Sequence, residues 1–122
     1  MNPPRKQGTA LESAACLAAQ ARGLEARRLA EGGSKDHGDV ELVTPTGRVV
    51  LECKARAALS LHDAWQKARR KAPADADVAV VWKRLVRKAG NQRRTAAGPT
   101  LVALPLDDYL DLLARTGGDN RG

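Results

Sequence analysis

Gly38-Asp39-Val40 and Leu51-Glu52-Cys53-Lys54 flank a segment interrupted at Thr44-Pro45-Thr46-Gly47. In that interruption Pro45 presets φ and Gly47 is free to take φ > 0, which is the chemistry of a turn. The flanking residues therefore read as two strands, over 39–43 and 48–55, joined as a hairpin. An antiparallel return brings the start of the first strand to the end of the second, and so Asp39 to Glu52. Side chains alternate along a strand, so Glu52 and Lys54 share one face while Leu51 and Cys53 share the other. Val49, Val50 and Leu51 make the second strand apolar on both faces, so Glu52 and Lys54 extend from a buried run. Charges brought into such surroundings are costly unless they have partners. Two carboxylates and an amine are expected to converge.

Such a set suits metal-assisted cleavage of a phosphodiester. Mg²⁺ prefers oxygen ligands, retains several waters and takes one or two protein carboxylates. Asp39 and Glu52 supply those, with the backbone carbonyl of Cys53 as a third oxygen. The ion neutralises charge on the phosphate and acidifies a water, and Lys54 orients that water or offsets the developing charge. Two plainer readings stay open. Glu-x-Lys also occurs on solvated strand faces, and an Asp after Gly often ends a loop. Asp36 competes with Asp39 as a ligand, and His37 is a loop histidine beside a glycine.

Working outward, Thr9 is a helix cap for a helix over 9–22, ended by Gly23, with Leu11, Ala14, Ala15, Ala18 and Ala21 as its apolar stripe. A first strand is expected over 24–30 and a Gly-rich loop over 31–37. A helix over 60–71 follows the hairpin and stops before Pro73. Strands are expected over 77–82 and 101–104, and a final helix over 106–113. Residues 1–7 read as a flexible basic arm carrying Arg5 and Lys6, and residues 117–122 as a disordered tail. At 122 residues the chain fits one domain.

The net charge of +7 argues for a polyanionic partner. Lys83, Arg84, Arg87, Lys88, Arg93 and Arg94 form a run without an acid, read as an arm against a DNA backbone. Lys35 in the glycine loop is a further candidate for phosphate contact, and Lys67, Arg70 and Lys71 on the middle helix are weaker candidates. Gln66 reads equally as a site residue or a surface amide. Trp65, Trp82 and Tyr109 are the only aromatics. That scarcity favours contact through phosphates and duplex shape over base stacking on a single strand. Cys16 and Cys53 read as small buried thiols, with no zinc-ligand spacing. No signal peptide or membrane-spanning run is evident, so the expected location is cytoplasmic, at a nucleoid or in a phage-infected host.

Gly8-Thr9-Ala10-Leu11-Glu12, Gly32-Gly33-Ser34, Gly38-Asp39-Val40 and Glu52-Cys53-Lys54 together resemble the archaeal-type Holliday junction resolvases. These belong to the PD-(D/E)XK nuclease superfamily and occur in phages too. The resemblance rests on motifs in the first half of the chain and on element order in the rest. It implies an α/β fold, a single nuclease domain with a central mixed five-stranded sheet flanked by helices. It also implies a homodimer and Mg²⁺-dependent (or Mn²⁺-dependent) endonucleolytic resolution of four-way DNA junctions, with no small-molecule cofactor and no membrane. Asp39, Glu52 and Lys54 would be the core triad. Ser34 would be a loop serine ahead of the aspartate, and Glu12 a helix glutamate near the metal. Gly38 replaces the proline of the superfamily name. Ser13-Ala14-Ala15-Cys16 follows Glu12 where the family is often charged, and Glu12 reads alternatively as a first-turn acid favourable to the helix dipole. The alternatives are a nuclease acting on flaps, overhangs or ends, and a non-catalytic DNA-binding relic.

Overall fold

The computed structural model describes the backbone of residues 3–29, 39–87 and 94–120, and side chains within 9–29, 39–87 and 95–115. Helix α1 (Pro3–Ala21) begins six residues before the expected start. Pro3 and Pro4 lie in its first turn, where backbone N–H groups lack intrahelical partners in any case, so proline costs nothing there. Residues 3–7, expected as an arm, are thus helical, and Glu12 sits mid-helix rather than in a first turn. The buried stripe is Leu11, Cys16 and Ala19 with Ala15 alongside, while Ala14, Ala18 and Ala21 are exposed. Alanine is nearly indifferent to burial, so the larger Leu11 and Cys16 choose the face. Gly23, at φ +84°, ends the helix as expected. The N–H of Leu24 reaches the Ala19 carbonyl at 3.0 Å and that of Gly23 reaches Gln20 at 3.0 Å, a Schellman closure.

Strands β1 (Glu25–Arg28), β2 (Val40–Thr44) and β3 (Gly47–Arg56) form an antiparallel meander. Helix α2 (Leu61–Lys71) then carries the chain over to β4 (Asp77–Arg87), which lies parallel to β3. Strands β5 (Arg94–Ala96) and β6 (Leu101–Ala103) return antiparallel along β4, and α3 (Leu106–Asn120) closes the chain. The result is a mixed α/β sheet. The five expected strands are β1, β2, β3, β4 and β6, and β5 is an addition. Lys83 and Arg84 end the apolar run of β4 in the sequence, yet Leu85 beyond them is buried, so the strand continues to Arg87 and pairs with β5. Residues 117–120, expected in a tail, continue α3.

Strand alternation sorts the core into two layers. Val40, Val49, Leu51, Cys53, Ala55, Ala79, Val81 and Leu85 pack with α1 on one face. Val50 and Val78 pack with Ala68, Ala72 and Trp65 on the other. Glu41, Glu52 and Lys54 share the α2 face by register, and Asp39 stands just before β2. Among the described residues, no helix is long and apolar enough to cross a membrane.

Candidate metal centre

The hairpin turn is closed by Thr44. Its Oγ1 donates to the Gly47 carbonyl at 2.8 Å and accepts from the Thr46 N–H at 3.3 Å. From there the pairing runs Thr44↔Gly47 to Val40↔Leu51, and Asp39 lies immediately beyond its end. The Asp39 N–H donates to the Leu51 carbonyl at 3.1 Å, while Asp39 Oδ2 accepts from the Cys53 N–H at 2.7 Å. The carboxylate is therefore fastened to the backbone of β3 between Glu52 and Lys54.

Glu52 is 5% exposed, an unusual place for a carboxylate. Its Oε2 lies 3.3 Å from Lys54 Nζ and 3.5 Å from Lys71 Nζ. Its Oε1 is buried without a hydrogen-bond partner among the described residues. A buried oxygen left unpaired costs on the order of 1–3 kcal/mol, more when charged, so it points to a ligand or a strain reservoir. Asp39 has its pKa raised to about 6, chiefly by burial and then by the charge of Glu52. The Cys53 N–H opposes that rise, Glu12 adds to it, and the Lys54 ammonium opposes it least. Burial, and then the charge of Asp39, also push the Cys53 thiol well above the usual range, so this cysteine is inert.

The donor set matches a hard divalent cation in part. Asp39 and Glu52 are two carboxylates near enough for the charge of one to raise the pKa of the other, within the one or two that Mg²⁺ takes from proteins. Among the described residues no group of three or more acid, His or Cys side chains is gathered for a metal. Glu12 does not join a three-acid cluster. Its Oε1 is held by Arg28, at 3.3 Å from Nε and 3.1 Å from Nη2, and it is carried by α1, which packs on the opposite layer. Ser34, Lys35, Asp36 and His37, and likewise Lys88 and Arg93, lie outside the described residues.

The structure adds Lys71 to the centre. The sequence marked it only as a weaker phosphate contact, because nothing local says that the last residue of α2 passes over Glu52. The basic run 83–94 is divided by strand alternation. Arg84 faces the carboxylates' side with Arg56, whereas Lys83 and Arg87 share the parity of Leu85 and face the α1 side. Lys67 and Arg70 are exposed on α2, and Gln66 lies exposed beside His62 and Pro105. Arg5 and Lys6 belong to α1 and Arg94 to β5, their side chains outside the description. The sequence matches no family model and no curated protein.

Proposed function

We propose that the chain is a metal-dependent endodeoxyribonuclease of the PD-(D/E)XK type that acts on four-way DNA junctions as a homodimer. The observation that carries this reading is the Asp39–Glu52–Lys54 set, with Asp39 fastened to the Cys53 N–H between Glu52 and Lys54 and with Glu52 Oε1 buried and unpaired among the described residues. The order helix, three-stranded meander, crossover helix, parallel strand supports the fold assignment. The net charge of +7 supports a nucleic-acid substrate.

Asp39 and Glu52 would hold Mg²⁺ or Mn²⁺, with the Cys53 carbonyl as the third oxygen. The ion supplies Lewis-acid polarisation of the scissile phosphate and a lower pKa for the attacking water. The chain's own groups do the rest. The Cys53 N–H fixes the Asp39 carboxylate so that it need not reorganise during reaction. Lys54 is 24% exposed, placed to orient the water and to offset charge gathering on the phosphate. Lys71 shares Glu52 with Lys54, so an incoming phosphate can draw one ammonium away while the other keeps the carboxylate paired.

Two-fold symmetry would present two such sites to a junction. Val102, Leu106, Tyr109, Leu110 and Leu113 are about half exposed or more, an apolar surface around α3 suited to a second copy. Competition binding tests the substrate: labelled four-way junction should stay bound against a hundredfold excess of linear duplex of the same sequence. Equal displacement by duplex, flaps or ends would discard the junction and keep the metal centre.

A further inference from the structure

The face that carries the carboxylates continues sideways into a feature the chemistry above does not use. Lys54 of β3 pairs with Trp82 of β4, and Trp82 pairs in turn with Leu101 of β6. The three side chains stand in one row. In the next row Arg56 pairs with Arg84. Trp82 Nε1 donates to the Arg56 carbonyl at 3.0 Å, which fixes the indole across the strands. Beyond it opens a crevice of about 600 Å³ bounded by Leu59, Trp82, Arg84, Gly98, Pro99 and Leu101. Gly98 adopts φ +81° and has nothing within 4 Å of where a Cβ would stand, so this wall is low and open. Leu101 is 55% exposed, an apolar side chain turned to solvent.

The described residues lining the crevice include a guanidinium and no carboxylate. A fixed indole, aliphatic walls and a cation at the rim complement a flat heteroaromatic ring joined to a phosphate. We propose that this crevice receives one unstacked nucleobase of the strand held at Lys54, with Arg84 against the adjoining phosphate. The proposal rests on the nuclease reading and deepens it by saying how the site chooses its substrate. Extruding a base from continuous duplex costs unstacking and unpairing, and that cost is least where stacking is already interrupted. A branch point offers such a base beside the strand exchange and a linear duplex does not. A chain with three aromatics can therefore discriminate structure by placing one of them next to the reacting phosphate.

The test uses the full chain and four-way junctions in which single nucleotides flanking the branch point are replaced one at a time by abasic sites. Binding is measured in EDTA, so that it is read apart from cutting. At one position the wild-type protein should lose roughly tenfold in affinity when the base is removed, the scale of one base–aromatic stack. Trp82→Ala should bind the intact junction more weakly by a similar factor and be indifferent to the abasic site, and Trp82→Phe should keep most of the effect. Wild-type affinity that ignores every abasic site, or a Trp82→Ala variant as sensitive as wild type, overturns the proposal and leaves the Asp39–Glu52 centre untouched. The expected pattern in EDTA without cutting in Mg²⁺ supports the crevice and sinks the nuclease reading. Should circular dichroism show Trp82→Ala unfolded, Leu101→Ser alters the same wall at an exposed position, and its undiminished abasic sensitivity would be equally fatal.

Discussion

Asp39, the proposed metal ligand, is held in the fold at a cost. Its raised pKa, about 6 against an ordinary 3.8, means that the folded state holds a proton the unfolded chain releases. The sign follows directly. The contribution of Asp39 to stability is greatest below pH 4, falls as pH rises from about 4 to 6, and bears the full penalty above 6. Asp39→Asn keeps an acceptor for the Cys53 N–H and removes the charge, so it should raise the melting temperature at pH 7.5. With solvent screening allowed for, the gain is roughly 1–2 kcal/mol, and it should vanish in melts at pH 3.5. A gain that persists at pH 3.5 would contradict burial of the charge as the cause. The two lysines on Glu52 should separate in single-turnover cleavage. Lys54→Ala is expected to lower the rate about 10²–10³-fold, and the more exposed Lys71→Ala tenfold or less. The nearness of Asp39, Glu52 and Lys54 was legible because a turn signal and strand alternation are local rules. Lys71 and the Glu12–Arg28 pair depend on where helices cross the sheet, which no local spacing encodes.

At the scale of elements, the hairpin that presents the carboxylates is pinned by a charged clasp. Glu41 is buried on the same face as Glu52, with Oε1 2.8 Å from Arg27 Nε on β1 and Oε2 3.0 Å from Arg48 Nη1 on β3. Arg48 also reaches Asp75 at 2.8 Å, ahead of β4. One carboxylate thus ties together the three meander strands. Glu41→Gln keeps the shape and halves the acceptor capacity, with an expected loss of about 1–2 kcal/mol in urea unfolding, moderated because both arginines remain partly hydrated. An unchanged unfolding midpoint would show the clasp to be incidental. The element order was legible in advance, including the Gly23 stop and the helix that became α2, though not its role as a crossover to a parallel strand. The extension of β4 and the β5 pairing were not, since Lys83 and Arg84 resemble a strand end until Leu85 is seen filling the α1 layer. The start of α1 was missed because proline and basic residues suggest an arm, although proline is at home in a first helical turn.

At the scale of the whole molecule, the positive charge is divided between faces, and only part of it lies beside the proposed metal centre. Arg56 and Arg84 are on that side, so the double variant Arg56→Gln/Arg84→Gln should weaken junction binding and reduce the slope of log affinity against log salt by about 2. Arg87→Gln, on the other layer, should leave the slope nearly unchanged, and filter binding between 50 and 200 mM salt (roughly the range in which such slopes are clearest) reads both. An equal reduction by both would mean that strand parity does not set the DNA face. The account as a whole stands on the Asp39–Glu52–Lys54 centre, and the most direct measurement is Mg²⁺-dependent cleavage of a labelled synthetic four-way junction by wild type and Asp39→Asn. The account predicts paired, symmetric nicks by the wild type. In Asp39→Asn the nicks should be lost while junction binding persists. Binding without cutting in either Mg²⁺ or Mn²⁺, or undiminished cutting by Asp39→Asn, would contradict it.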